Sequence, residues 1–324
     1  MKKWLALLLA LVLTLGLTAC GNTPSEKEDD DPAQTADGGD PAPTADVSDP
    51  FRDLGDWRMT GKTEFKGDGS IQRKFKYEYD DNGREIKRTS FAPDGSIYFV
   101  TECEYDARGN EIKKTWFKPD GSIDYWYETE YDANGRQLKS TFVTSAGKKD
   151  GWFENEYDVH GNMIKYTSFN ADGSIHRWEE YTYDAHGNVI RFMSFNADGS
   201  IETWIEYEYD ANGNRTKLTR FNPDGSIDSM NEYVFDDSGK LIREAHFFDG
   251  SGSGNVTEYE FDAAGNMIGN TWFYPSGEVA SRHEYEYDAN GNQIKWTVFY
   301  PDGSVNWWTE YEYQYYENAP KGED

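Results

Sequence analysis

Cysteine is nearly absent from this 324-residue chain: Cys20 and Cys103 are the only two, which excludes a disulfide-stapled scaffold. Basic residues are scarce too, 32 Lys and Arg against 60 Asp and Glu, for a net charge of −28. That balance excludes nucleic acid as a partner, because phosphate binding needs clustered Lys and Arg, and it excludes electrostatic docking on an anionic membrane surface. The five histidines (His160, His176, His186, His246 and His283) are scattered without metal-ligand spacing, so no metal centre or cofactor is expected. Helical periodicity is missing beyond the first residues, and nothing alternates with helices, which disfavours an α/β solute-capturing fold. The one long apolar run is Trp4 to Leu17.

That run follows Lys2 and Lys3 and ends in Leu17-Thr18-Ala19-Cys20, the layout of a secretory signal closing on small residues. Leu-Thr-Ala-Cys-Gly resembles the bacterial lipobox, in which the cysteine becomes the lipid-bearing N-terminus. Residues 1–19 are therefore expected to be a lipoprotein signal peptide and Cys20 the lipidation site. Asn22 to Pro50 then carries nine acidic residues against one lysine, with five prolines and little apolar mass. Such a stretch cannot bury enough surface to fold, so residues 20–56 read as an anchor and acidic tether with a coil reach of roughly 30 Å. The expected address is extracytoplasmic, held to the outer face of the cell membrane or to an outer membrane by lipid on Cys20.

What the chain does have is a period. Tyr79-Asp80 returns at Tyr105, Tyr131, Tyr157, Tyr183 and Tyr209, softens to Phe235-Asp236 and Phe261-Asp262, and returns at Tyr287-Asp288, always 26 residues apart. Fixed spacing of this kind marks a repeat array. One copy runs from Ser200 to Tyr209, turns through Asp210-Ala211-Asn212-Gly213, continues to Phe221 and turns again at Asn222-Pro223-Asp224-Gly225. Both turns suit a three-residue hairpin loop whose glycine has positive φ and forms a bulge. The fold class is all-β: about ten 26-residue hairpin units over residues 57–316, forming one long antiparallel meander, with 317–324 as a tail.

Pairing follows from the turns. With Asp106 and Asn110 closing one hairpin, Tyr105 faces Glu111 and Cys103 faces Lys113, while the next turn sets Phe117 against Ile123. One face then carries the Phe–Ile pairs (Phe91 and Ile97, Phe169 and Ile175, Phe195 and Ile201), two tyrosine rows, Lys and Thr. The other carries the Trp row, an Ile row (Ile86, Ile112, Ile164, Ile190, Ile294) and two glutamate rows. Twenty strands would span roughly 95 Å if flat, and sheets of that width twist or coil, so a superhelical trough is expected with the Phe–Ile–Tyr face inside. Trp57 to Phe65 and Val305 to Tyr316 are expected to be its edges. Two copies depart from the pattern: Thr144-Ser145-Ala146-Gly147 replaces one Pro-Asp-Gly turn, with Lys149 where Ile is usual, and Phe248 to Gly254 forms a looser loop.

Tyr131-Asp132-Ala133-Asn134-Gly135-Arg136 and Tyr287-Asp288-Ala289-Asn290-Gly291-Asn292 resemble the YD repeats of the RHS family, and the resemblance covers about residues 57 to 316. It implies a β shell of the kind that encloses a toxin domain in large members, or one that contacts carbohydrate at cell surfaces. This chain is short and shows neither a C-terminal effector domain nor an Asp-Pro-x-Gly motif, so a toxin cage is not expected.

Chemistry has few footholds. Glu102, Glu128, Glu154, Glu180, Glu206, Glu232, Glu258, Glu284 and Glu310 form a row, most with a second Glu two residues on, at about 6.5 to 7 Å, the separation of an inverting glycosidase pair. A catalytic pair occurs once, whereas this one recurs in copy after copy, so the row reads as an acidic stripe and the protein as no enzyme. The Asp-x-Asn-Gly and Asp-Gly-Ser turns lack the spacing and bidentate Glu of a calcium loop. The Trp row is the candidate ligand surface: Trp126, Trp152, Trp178, Trp204 and, after a gap, Trp308, flanked by Glu128, Glu154, Glu180 and Glu206. Copies two strands apart recur every 9.6 Å or so, about the repeat of a β-linked polysaccharide. The competing reading is that each Trp packs across strands onto Lys, Leu or Phe neighbours such as Lys114, Phe142 and Leu218. The expected function is a surface-tethered, non-enzymatic binding or adhesion module for polysaccharide, and the alternative is a structural or protein-interaction scaffold.

Overall fold

The computed structural model describes residues 57–248, 252 and 254–315. The expected signal peptide, Cys20, the tether, the tail and most of the loop before Gly254 lie outside the described residues. The rest is twenty antiparallel strands in meander order, β1 (Trp57–Lys66), β2 (Ile71–Tyr79), β3 (Glu85–Phe91), β4 (Ile97–Tyr105), β5 (Glu111–Phe117), β6 (Ile123–Tyr131), β7 (Gln137–Thr144), β8 (Lys149–Tyr157), β9 (Met163–Asn170) and β10 (Ile175–Tyr183) in the first half. The second half is β11 (Val189–Asn196), β12 (Ile201–Tyr209), β13 (Arg215–Phe221), β14 (Ile227–Phe235), β15 (Leu241–Phe248), β16 (Gly254–Phe261), β17 (Met267–Phe273), β18 (Val279–Tyr287), β19 (Gln293–Phe299) and β20 (Val305–Tyr315).

The repeat signature is accounted for by hydrogen bonds. In the Tyr-Asp turns the aspartate Oδ1 accepts the N–H groups two and four residues on, as Asp106 does from Arg108 and Asn110, both at 2.9 Å. Oδ2 takes the side chain of the residue after the glycine, from Asn110 Nδ2 at 2.8 Å or Arg84 Nε at 2.7 Å. Gly109 sits at φ 93°, the left-handed conformation that closes the loop and that a Cβ would penalise. The tyrosine hydroxyl donates to a main-chain carbonyl twenty residues earlier on the neighbouring strand: Tyr105 to Glu85 at 2.7 Å, Tyr183 to Met163 at 2.6 Å, Tyr209 to Val189 at 2.7 Å. Each repeat is thus tied to the strand before it at the end where the ladder is weakest. The substituted turn keeps the same geometry, with the Gly147 N–H on the Thr144 carbonyl at 2.8 Å.

Two expectations are overturned. The first is the register. Tyr105 does face Glu111 and Phe117 does face Ile123, but Cys103 faces Lys114, because Glu104 pairs with Lys113 and Ile112 is left unpaired. The same one-residue shift follows nearly every turn. A bulge inserts one residue and so exchanges the faces of everything beyond it. The Phe–Ile pairs therefore share a face with the Trp and Glu rows, and the tyrosine rows stand on the other with Arg88, Lys114 and Phe192.

The second is the shape. β1 and β20 are not edges; they pair antiparallel with each other from Trp57 opposite Tyr315 to Lys66 opposite Trp307, and the sheet closes into a barrel. The seam continues the repeat: Phe65 of β1 stacks on Trp308 of β20 at 4.9 Å and 11°, the geometry of Trp178 on Phe195 inside the array. Closure removes both exposed edges. It also decides which face is inside, since large side chains can be covered on a single-layered barrel only by crowding into its concave side. Tyr166, Tyr181, Phe192, Ile205, Tyr207, Leu218, Tyr233 and Leu241 form one buried inner cluster, and Met59, Phe75, Tyr77 and Tyr311 form another across the seam. Ile86, Ile112, Ile164, Ile190 and Ile294, the bulged residues, stand outside at 36–37 % exposure.

Cys103 is buried on the inner side of β4.

Removing one tyrosine hydroxyl leaves a half-buried carbonyl without its donor, so Tyr209→Phe should lower unfolding free energy by about 1 kcal/mol. Urea denaturation checks this; an unchanged midpoint would show that the tie carries no stability.

Candidate functional site

The outer face is built of repeated rows, and the strands set each one. Starting after the Pro-Asp-Gly turn, an even-numbered strand presents Ile, then after the bulge Trp, Glu and Glu outward, as in Ile201, Trp204, Glu206 and Glu208. The odd strand beside it presents Lys or Arg, Thr or Met, and Phe. Trp152, Trp178 and Trp204 stack on Phe169, Phe195 and Phe221 of the following strand with centroids 4.9–5.0 Å apart and planes 9–11° from parallel. The far edge of each ring rests near the glycine of the next turn, at Gly173, Gly199 and Gly225. The indole N–H donates to a glutamate on the same strand in three copies, Trp126 to Glu128 at 2.8 Å, Trp152 to Glu154 at 2.9 Å and Trp308 to Glu310 at 3.2 Å. Trp126 faces Val143 in place of a Phe.

The five tryptophans expected at the site thus all stand on the outer face, each fixed by its neighbours and half-exposed, with Glu128, Glu154, Glu180 and Glu206 beside them. One face of each stacked ring is taken by phenylalanine, so the tryptophans do pack across strands, but onto Phe169, Phe195 and Phe221 and not onto Lys114, Phe142 or Leu218, which the bulge turns to the inner face. The copies differ in their charges. Glu154 is paired with Lys139 at 3.0 Å, and the Lys139 and Lys149 ammonium groups lie 5.3 and 4.5 Å from the Trp152 ring centre. Glu128, Glu180 and Glu206 make no ion pair among the described residues. A shallow recess of about 430 Å³ lies beside the Trp152 copy, lined by Leu138, Lys139, Glu154, Glu156, Lys165 and Phe169. No group of three or more His, Cys, Asp or Glu converges on a metal position among the described residues.

The interior holds groups the sequence reading did not single out. Glu85 pairs with Arg88 at 3.1 Å beside Lys114, all buried. Burial pushes the Glu85 carboxyl up to about 7 against the pull of Arg88 and Lys114, and holds the Lys114 ammonium below its usual range. Glu179, also raised by burial, bonds Arg177 at 2.8 Å and accepts from the Tyr181 hydroxyl at 2.9 Å. Arg88 and Lys114 stand where other copies carry Tyr166, Phe192 and Leu218 on the inner face. Those substitutions were the available signal, and with the unbulged register they read as outer residues.

Rows of carboxylates face out beside the tryptophans and phenylalanines while the tyrosine rows face in, and outward charges at membrane depth would each cost up to a few kcal/mol.

A family model described as the teneurin YD-shell matches residues 61–247, more than half of the chain. This chain belongs to the teneurin YD-shell family. Among solved structures, the YD-shell chain resembles the TcdB2-TccC3-TEV crystal structure with 14% identity over 73% of its own length and 15% of the other chain, at a TM-score of 0.30. It also resembles a porin-like protein of Bacteroides uniformis with 10% identity over 79% of its length and 98% of that chain, at a TM-score of 0.37. It thus spans well under two thirds of the TcdB2-TccC3-TEV chain. No curated protein matches it.

Because Glu85 has a higher pKa folded than its ordinary 4.5, it takes up protons on folding; its contribution is complete below pH 4.5 and is lost as pH rises through about 7. The turn aspartates act oppositely: hydrogen bonds from Ser96 and Asn110 hold Asp94 and Asp106 low, so their contribution is present above the ordinary carboxylate range and lost on acidification. The barrel should therefore be more stable at pH 5.5 than at pH 8, and Glu85→Gln should flatten that slope in thermal melts. An unaltered slope would place the dependence elsewhere.

Proposed function

We propose that this YD-shell protein is a lipid-tethered, non-enzymatic binding module of the bacterial cell surface whose ligand is polysaccharide and whose contact is the outer tryptophan row. The observation that carries the reading is the position of that row. Closure turns it away from the lumen, and the phenylalanine stacks hold the rings in place before any ligand arrives, which lowers the ordering cost of binding. Glutamate oxygens two residues on are acceptors for sugar hydroxyls. The acidic stretch after Cys20 would carry the barrel clear of the membrane.

In a panel of soluble β-glucans, mannans, mucins and peptidoglycan fragments, one class should quench tryptophan fluorescence saturably, and Trp178→Ala with Trp204→Ala should weaken that binding at least about tenfold. A double variant that melts like the parent yet binds fully would remove the glycan site from this face. The anchor has its own test. One sulfur cannot carry a lipid thioether and also bond Cys103, and in this chain Cys20 is the only other cysteine. Mass spectrometry of the N-terminal peptide should find diacylglycerol on Cys20 in protein recovered from membranes, and a Cys20–Cys103 disulfide there would refute the anchor.

A protein-interaction scaffold is favoured by a different observation, the aliphatic row of bulged residues. Ile112, Ile164 and Ile190 are each 37 % exposed in line around the barrel, an apolar stripe for which a glycan has less use.

A further inference from the structure

At Trp152 the protein has placed its own cations on the ring. The Lys149 ammonium stands 4.5 Å from the ring centre, and the Lys139 ammonium stands 5.3 Å from it while bonding Glu154 at 3.0 Å. At Trp126, Lys113 lies 5.7 Å from the ring. The corner between an outward Trp and the Glu two residues on therefore accommodates an ammonium group, held by the ring quadrupole and a carboxylate together.

At Trp178 and Trp204 no cation lies on the ring among the described residues, although Lys165 and Arg191 stand directly across the ladder from Glu180 and Glu206. Ile175 and Ile201 replace Lys149, and Lys165, the counterpart of Lys139, lies 3.8 Å from Glu156 in place of bonding Glu180. Glu180 and Glu206 make no ion pair among the described residues. The rings are held as firmly as at Trp152, each stacked on its Phe at 5.0 Å.

We propose that the Trp178–Glu180 and Trp204–Glu206 corners are ammonium sites, and that the polysaccharide bound by the outer face is a β-linked polymer of amino sugars with free amines. The inference rests on the polysaccharide reading above. Charge favours it, since a net charge of −28 repels uronate and phosphate polymers and attracts a polycation. The two corners lie two strands apart and, by the register, two residues apart along the strand, which sets them about 12 Å from each other.

The test uses the full-length protein in detergent, titrated with β-1,4-linked glucosamine oligomers, their N-acetylated counterparts and galacturonate oligomers, at a pH where the sugar amine is protonated. The free-amine oligomer should bind about tenfold tighter than the acetylated one, and galacturonate should bind worst. Glu180→Gln with Glu206→Gln should abolish the preference for the amine. Glu232→Gln with Glu258→Gln, the same charge change beside Met230 and Val256, should not. Equal binding of free and acetylated oligomers would overturn the amine site and leave the polysaccharide reading standing. No binding of any oligomer, taken with a silent wider panel, would overturn both. Equal loss in the two Glu→Gln pairs would reduce the effect to bulk charge and overturn the site.

Discussion

The unpaired residue that follows nearly every turn governs this structure. One inserted residue per turn bends the strand, increases the local twist and exchanges the faces of everything beyond it. Repeated around the sheet, that bending offers a route from a twenty-strand meander to a closed ring, the outcome expected when so wide a sheet does not split in two. The bulge also sorts the residues: the tyrosine rows inward, the row from Trp126 to Trp308 and the glutamate rows outward, and Ile86, Ile112, Ile164, Ile190 and Ile294 left standing at the bulge itself.

The Tyr-Asp pair is the counterpart of that irregularity. A bulge leaves main-chain groups without ladder partners, and buried polar groups of that kind are costly. The tyrosine hydroxyl supplies a donor to the carbonyl at the start of the preceding odd strand, while the aspartate caps the turn through both carboxylate oxygens. Where the hydroxyl is missing, at Phe235 and Phe261, the interior nearby also carries charged groups: the Arg215 guanidinium lies over the Tyr233 ring at 5.0 Å, and Glu244 is held as a raised carboxyl by burial.

Much of this was legible in the residues. The period, the strands, the positive-φ glycines and the all-β class follow from Tyr79-Asp80 and its copies, since turn chemistry is local and tightly specified. The register beyond the turn was not. Lys113 and Lys114 are adjacent and identical, so a one-residue slip leaves the pattern looking the same, and both faces mix apolar and charged rows. Closure was hidden for another reason: β1 and β20 meet across nearly the whole chain, and no local signal reports a partner at that separation, although Phe65 and Trp308 already had the spacing to continue the Phe–Trp pairing. The tryptophan row was found correctly as a row on one face; that it would share that face with the phenylalanines, and be stacked on them, depended on the bulge.

Amide hydrogen exchange along β1 and β20 tests the account most directly. In a closed barrel the amides of Gly61–Phe65 alternate between β2 and β20, so both sets should be protected as well as those of an interior strand such as β12. If the seam-facing amides of β1 and β20 exchange at open-edge rates while the rest hold, the sheet is an open trough and the inside and outside assigned here fall with it.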